Sequence, residues 1–537
     1  VSPDLIVTAD TVHTLDPSRP AATAVAITGG TITAVGDRSQ VTAWRGAGTR
    51  VIELGAATVT PGLVDGHIHP VLGLDLTRGA DLSAVRDLDE LTAALRRAQR
   101  DEPGEWVLGW GLNPNAFGRT PLTHEPLVRA VGDIPVLILM FDAHAAIASP
   151  AALKRAGIDG PREFAGGATI VCDEHGVPTG HLLEIPAYEL VQAVVPEQSR
   201  SVRRQRFRDL LQRMAAAGLT AGNAMDFEAD SAELVTHLDG SDTDAGGLPL
   251  RLRFAPFCMP GVTRAELDEL VDRQRSGGAR WRVDGVKFMI DGTVDGGTAW
   301  LSHADTHGES TAPFWPDPAE YVWAARYLAD RRVPVVTHAI GDAGVRYVLD
   351  ALSGTRRGRV PHRIEHIETI PTELVGRFRA LDVTASMQPT HCTLYTSADQ
   401  SDNWSQRLGP DRARRAFRCR DLADAGARLA LGSDWPVAPF DPRGVIADAQ
   451  LRRPHGRDDA DPVQPGQALT AAQALRGYTT AAAEAAGLGQ VSGRIAVGLR
   501  ADLSAFGLDP LIAAPDEFAQ APVPLTVVDG TVVHRAD

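Results

Sequence analysis

Pro61-Gly62-Leu63-Val64-Asp65-Gly66-His67-Ile68-His69-Pro70 reads as a short strand, opened by Pro-Gly and stopped by Pro70. Positions i and i+2 of a strand face one side, so His67 and His69 present two imidazoles in the same direction. Later β-type runs carry further reactive side chains in the same manner: Lys287, then His338 and His366, then Asp434. Strand runs that end in potential ligands, with helical stretches between them, predict a (β/α)8 barrel of the TIM type with a metal site at its C-terminal rim. Imidazoles and carboxylates around an open metal position make hydroxide at neutral pH, so the pattern points to hydrolysis.

Working outward, eight candidate strands fall at 62–68, 219–225, 251–257, 284–290, 334–339, 362–367, 382–387 and 428–434. Helical stretches lie between most of them. In 200–217, for example, Val202, Phe207, Leu210, Leu211 and Met214 fall mostly at three- and four-residue spacing. Strand-helix alternation argues for a parallel sheet. The gap at about 71–198 is too long for a simple βα connection. With its own β-like run at 136–141, it is expected to be an insertion after the first strand, on top of the barrel. The two ends are β-rich. Residues 1–60 and 491–537 are expected to combine into one small β-sandwich domain, with the barrel at 61–490, and Asp529-Gly530 between β-branched runs predicts a hairpin.

Composition narrows the class. A net charge of −15 argues against a nucleic-acid partner. No apolar run approaches the roughly 20 residues that cross a bilayer, so no membrane is expected. Cys172, Cys258, Cys392 and Cys419 form no CxxC pair, which points away from cysteine zinc sites and disulfides and towards the cytoplasm. The chain begins at Val1 rather than Met, which leaves a removed leader open.

Lys287 is the residue most in need of explanation. It sits in Val286-Lys287-Phe288-Met289-Ile290, where a bare ammonium is costly and burial lowers its pKa. One reading is a buried ion pair with Asp284, Asp291 or Asp434. The other is a neutral amine that captures CO2, giving a carbamate whose oxygens can bridge two cations. Asp434, after Leu429-Ala430-Leu431-Gly432-Ser433, reads as a ligand or general base, or as a helix N-cap. His144 ends an apolar run in the insertion. Trp300, Phe314, Trp315, Tyr395 and Trp404 cluster in two loops, so His144, Trp300, Trp315 and Tyr395 are candidate substrate contacts.

Taken in order, these residues resemble the amidohydrolase superfamily of metal-dependent barrels. The strings GGATIVCDEHGVPTGHLLE (166–184), VKFMIDGT, THAIGD, RIEH, SMQP, GSDWPV and GLRADL resemble the branch of N-substituted formamide deformylases and the YtcJ-type and AepA-type proteins. The resemblance implies His67, His69, a carboxylated Lys287, His338 and His366 as metal ligands. It implies Asp434 as ligand and catalytic acid/base, and a β-sandwich built from both termini. The chain departs from the pattern at Gly297, where an arginine is common, and at Ala145, where a serine is expected after His144.

The function expected is hydrolysis of a non-peptide C–N bond, most of all in a linear amide or N-substituted formamide. Asp434 takes and returns the proton, and one or two divalent ions, zinc foremost, activate water. Alternatives are deamination of a cyclic amidine or hydrolysis of a cyclic amide, and a non-catalytic regulatory protein on the same fold. The expected partner is a small-molecule amide, and a homodimer is compatible with the sequence.

Overall fold

A computed structural model describes residues 2–101, 104–164, 168–227, 230–240, 247–356 and 358–536. Gly166 and Gly167, which open the 166–184 string, lie outside the described residues. Each of the eight expected core segments contains a strand: Leu63–Ile68, Leu219–Ala224, Arg251–Phe254, Val286–Met289, Val335–Ala339, Arg363–His366, Thr384–Met387 and Leu429–Leu431. All pair in parallel, and buried residues fill both of their faces, as parallel strands covered by helices require.

The pairing does not run as one closed ladder. Leu63–Ile68, Leu219–Ala224 and Arg251–Phe254 form a four-stranded sheet with a further strand, Trp281–Val283. The five strands from Val286–Met289 to Leu429–Leu431 form a second sheet. Single parallel bridges, Phe257 to Lys287 and Ile68 to Trp435, join the two. Gly285 explains one junction. Its φ of +134° is a conformation that L side chains rarely adopt, and it bends the chain so that Trp281–Val283 pairs with one sheet and Val286–Met289 with the other.

Between these strands run helices such as Arg200–Ala216. The Ser199 hydroxyl caps it by accepting from the Val202 N–H, and Phe207, Leu210, Leu211 and Met214 form its buried stripe. The segment expected as an insertion builds a six-stranded sheet of its own. Its order is Thr169–Cys172, Pro178–Leu183, Ala145–Ala148, Val136–Met140, Val107–Leu112 and Ala80–Asp81. Both ends of the chain enter one eight-stranded sheet, in which Leu503–Phe506 lies antiparallel to Thr58–Pro61. Its hairpin at Asp529-Gly530 has positive φ at both residues, the geometry that matches strand twist in a two-residue turn. Among the described residues, no helix is long and apolar enough to cross a membrane.

Candidate metal centre

His67 is the penultimate residue of its strand and His69 lies one residue past the end. Close backbone approach fixes them against Asp434. A Cβ on Gly66 would lie 2.5 Å from the Leu431 carbonyl oxygen, and one on Gly432 would lie 2.5 Å from the His67 nitrogen. Asp65 ties the same two strands: its carboxylate accepts from the His67 and Ser433 N–H groups and from the Ser433 hydroxyl. The Asp434 N–H donates to the His67 carbonyl at 2.7 Å, and the His69 N–H to the Trp435 carbonyl at 2.9 Å. His366 and Asp434 have φ of +73° and +60°, uncommon for residues with side chains. Such strain persists where surrounding structure over-determines it, often at functional sites.

Each imidazole is held through one ring nitrogen. His67 Nδ1 lies 2.7 Å from Glu365, His69 Nδ1 3.4 Å from Asp226, His366 Nδ1 2.9 Å from the Gln388 amide oxygen, and His338 Nε2 3.1 Å from the Gly292 carbonyl oxygen. For His67, His366 and His338 these acceptors favour a proton there and a lone pair on the opposite nitrogen, whereas His69 Nδ1 makes no hydrogen bond and Asp226 and Asp434 raise the His69 pKa against burial. Burial also pushes the pKa values of His67, His338 and His366 down, which favours neutral rings. The two Nε2 atoms of His67 and His69 stand 3.3 Å apart and lie 3.2 and 3.3 Å from Asp434 Oδ1. Burial opposes charge on Asp434, yet His67 and the other imidazoles hold its carboxyl well below the usual range. With both rings neutral and Nδ1-protonated, these three atoms would offer two nitrogen lone pairs and one carboxylate oxygen to a single cation. Donor atoms of His67, His366 and Asp434 all lie within 4.8 Å of one another. The donor set therefore fits a divalent ion with nitrogen and oxygen ligands.

Lys287 is the second residue of Val286–Met289, inside the strand rather than at its end. The three candidate ion-pair partners are engaged elsewhere. Asp284 faces Arg282 and Arg253, Asp291 accepts from the N–H groups of Trp300, Ile340 and Gly341, and Asp434 faces the imidazoles. Burial lowers the Lys287 pKa to about 8, against the opposing pull of Glu365 and Asp434.

His67 apart, the expected ligands line one narrow cavity of about 100 Å³, with largely apolar walls that include Leu72, Leu76, Phe141, Tyr395, Trp404 and Phe417. His144 lies on its wall, with Nδ1 2.9 Å from Glu184 and its ring 5.3 Å from that of His338. Burial disfavours charge on His144, but Glu184 and Asp142 outweigh it and raise the pKa to about 9. Two of the aromatic candidates lie elsewhere. Trp315 is fully buried among Phe288 and Tyr321, donating to the Met289 carbonyl at 2.8 Å. The Trp300 ring packs on Tyr347, 5.1 Å between centroids. Trp315 is therefore a core residue, and neither ring lines the cavity.

Sequence reasoning passed over the anchors. Asp226 and Gln388 each follow a buried strand, the same signal that drew attention to Asp434, and Glu365 lies beside His366. His391 gave no such signal. It sits in the helix Pro389–Tyr395, with Nε2 3.6 Å from Asp434 Oδ2 and its ring stacked 6.0 Å from that of His366.

The fold and this donor set define a hydrolase, and residues 50–534 match the amidohydrolase family, to which the chain belongs. It is 32% identical to the protein LONG AFTER FAR-RED 3 of Arabidopsis thaliana, over 93% of this chain and 86% of that one. It is 28% identical to the N-substituted formamide deformylase of Arthrobacter pascens, over 99% of this chain and 98% of that one. An uncharacterized metal-dependent hydrolase of Pyrococcus horikoshii shares the fold with a TM-score of 0.71 at 22% identity, covering 95% of this chain and 99% of that one.

Proposed function

We propose that the chain hydrolyses a linear amide, with N-substituted formamides as the leading substrate class, at a metal centre held by His67, His69, Lys287, His338, His366 and Asp434. The observation that carries this reading is the meeting of the His67 and His69 Nε2 atoms with Asp434 Oδ1, beside a cavity that Lys287 also lines. In this reading the two parallel sheets are arcs of one (β/α)8 barrel at 61–490. The terminal sheet, from 1–60 and 491–537, is a sandwich domain. The working location is the cytoplasm, and zinc is the expected metal.

A bound divalent ion would acidify water and polarise the substrate carbonyl. The protein supplies the remainder. Asp434 Oδ1 lies nearest His67 and His69, while Oδ2 lies 3.6 Å from His391 and 3.8 Å from His366 and can take a proton and return it to the departing amine. His144, fixed by Glu184, is placed to donate a hydrogen bond to the substrate, and Phe141 and Tyr395 give an apolar wall to an N-substituent. Burial lowers the Lys287 pKa and so favours its neutral amine. Its nitrogen can then bond to CO2 carbon with release of one proton to water, giving an anionic carbamate.

Metal-loaded protein assayed on formamides, acyl amides and cyclic ureas tests the substrate class. Preference for formamides is expected, and turnover confined to cyclic substrates would reject it. Lys287→Ala should lose metal and activity together, with partial rescue by short carboxylic acids. Full metal occupancy in that variant removes the bridging role.

A further inference from the structure

A second cavity, of about 300 Å³, is lined by residues of Leu63–Ile68, Leu219–Ala224, Arg251–Phe254 and Trp281–Val283, and shares no lining residue with the cavity of the imidazoles. That volume is at the small end of the roughly 300–1,000 Å³ typical of ligand sites. Six arginines line it: Arg251, Arg253, Arg275, Arg280, Arg282 and Arg500. No aspartate or glutamate is among its described lining residues.

Strand register explains the convergence. Arg253 pairs with Asn223 on one side and with Arg282 on the other, and Arg251 pairs with Ala221. Paired residues, and residues two apart, share a face of a sheet. Asn223, Arg251, Arg253 and Arg282 therefore project together, with the small Ala221 leaving room beside them. Like charges directly opposite each other destabilise a sheet, so the Arg253–Arg282 pair needs compensation. Carboxylates behind the cavity supply part of it: Asp284 serves Arg282 and, at 4.0 Å, Arg253, while Asp502 and Asp529 serve Arg251. Asp529 also meets Arg280 and Arg500, at 3.5 and 3.4 Å, and Asp272 meets Arg275.

Part of the donor capacity stays unmatched. Arg251 Nε, Arg253 Nε and Nη2, and Asn223 Nδ2 are buried with no hydrogen-bond partner. Their residues are 8%, 4% and 1% exposed. Every unmatched atom is a donor. Burial, with Arg363 and Arg282 nearby, pulls the Arg253 pKa to about 10 in spite of Asp284.

We propose that this cavity binds a small anion carrying several oxygen acceptors and at least two negative charges, a phosphate or a dicarboxylate. Guanidinium forks match both groups geometrically, and desolvated charge-assisted hydrogen bonds are the strong ones. A bound anion would tie the first strands to the terminal sheet, since Arg251 already spans Asp502 and Asp529.

The test uses the full, metal-loaded chain, with inorganic phosphate and succinate as probes; chelating anions such as pyrophosphate would strip the rim. Calorimetry and thermal unfolding should give saturable binding and a rise in Tm beyond that from sodium chloride at equal ionic strength. Arg253→Met should weaken binding by about tenfold or more, a loss of about 1.4 kcal/mol. Arg275→Gln, on an exposed side chain at the mouth, should weaken it severalfold without disturbing the core. Turnover of Arg275→Gln should stay within about twofold of the parent. Binding of phosphate alone assigns the phosphate class, and of succinate alone the dicarboxylate class. If neither anion exceeds sodium chloride, or both variants bind as the parent does, the cavity holds water and the proposal fails.

Discussion

Near the C-terminal ends of the core strands, His67, His69, His338 and His366 each bring one ring nitrogen close to an oxygen. Around the second cavity, Arg251, Arg253 and Asn223 retain buried donors without hydrogen-bond partners. One region gathers ring nitrogens and a carboxylate, and the other gathers N–H groups. Different strands thus present groups of opposite character, suited to a cation in one cavity and to an anion in the other. Buried polar groups cost energy unless matched, so a guest of opposite sign would stabilise each region.

The contrast makes the rim the seat of turnover, and variants there should separate chemistry from stability. Asp434→Asn keeps the side-chain shape but cannot accept a proton at neutral pH. Its kcat should fall by about 10²–10⁴-fold with Tm nearly unchanged; a variant keeping more than about a tenth of parent kcat would move the proton to another residue. Next come the walls of the cavity. Phe141→Leu should change the kcat/KM ratio between aromatic and aliphatic amides by roughly 10–200-fold, and His144→Ala should shift KM and substrate ranking. Metal content should stay constant in both. Trp315→Phe is the matched control: it should lower Tm and leave the ratio alone, because that ring packs in the core. A changed ratio in Trp315→Phe would blur the line between wall and core.

Glu365→Gln should reduce metal affinity or activity by about 10–100-fold, since it loosens the His67 ring. It should also lower stability by about 3–5 kcal/mol, because Arg363 loses its buried carboxylate. Unfolding and metal titration together would separate the two effects. The smallest effect is expected at Asp295, which lies between the metal cavity and a neighbouring one. Burial holds its carboxyl up at about 8, so the folded chain keeps a proton that the unfolded chain releases near pH 4. This group therefore costs progressively more stability as pH rises from about 4 to about 8. Asp295→Asn can still accept from Asn403, and its Tm advantage should be near zero at pH 4 and grow towards pH 8. The gain should be on the order of 1–2 kcal/mol, because water reaches part of the carboxyl. A gain independent of pH would mean that Asp295 is ionised throughout.

The sequence was most legible where pattern and chemistry coincide. The strand period located all eight core segments, and reactive residues near strand ends led to a cluster that the fold brings together. The interruption at Gly285 was not legible, because a continuous apolar run gives no sign of which sheet each half will join. The six-stranded sheet within 71–198 left only the run at 136–141 visible; strands such as Ala80–Asp81 and Pro178–Leu183 are too short or too polar to register alone. Trp300 and Trp315 misled because membership of a loop does not fix which way a ring turns. The anchors were missed for the converse reason: a carboxylate that positions a ligand has no pattern of its own until the ligand's orientation is known.

The pairing of Thr58–Pro61 with Leu503–Phe506 also has a cost in time. Thr60 and Ser504, which meet in that pairing, are 444 residues apart in the chain. At a synthesis rate of about 5–20 residues per second, the early strand waits roughly 20–90 s for its neighbour. Throughout that interval a nascent chain would carry an open, hydrogen-bond-competent edge close to the ribosome, of the kind that recruits wrong partners. Slowing or splitting translation between these two segments should therefore harm the yield of native protein more than the same delay placed within the parallel core.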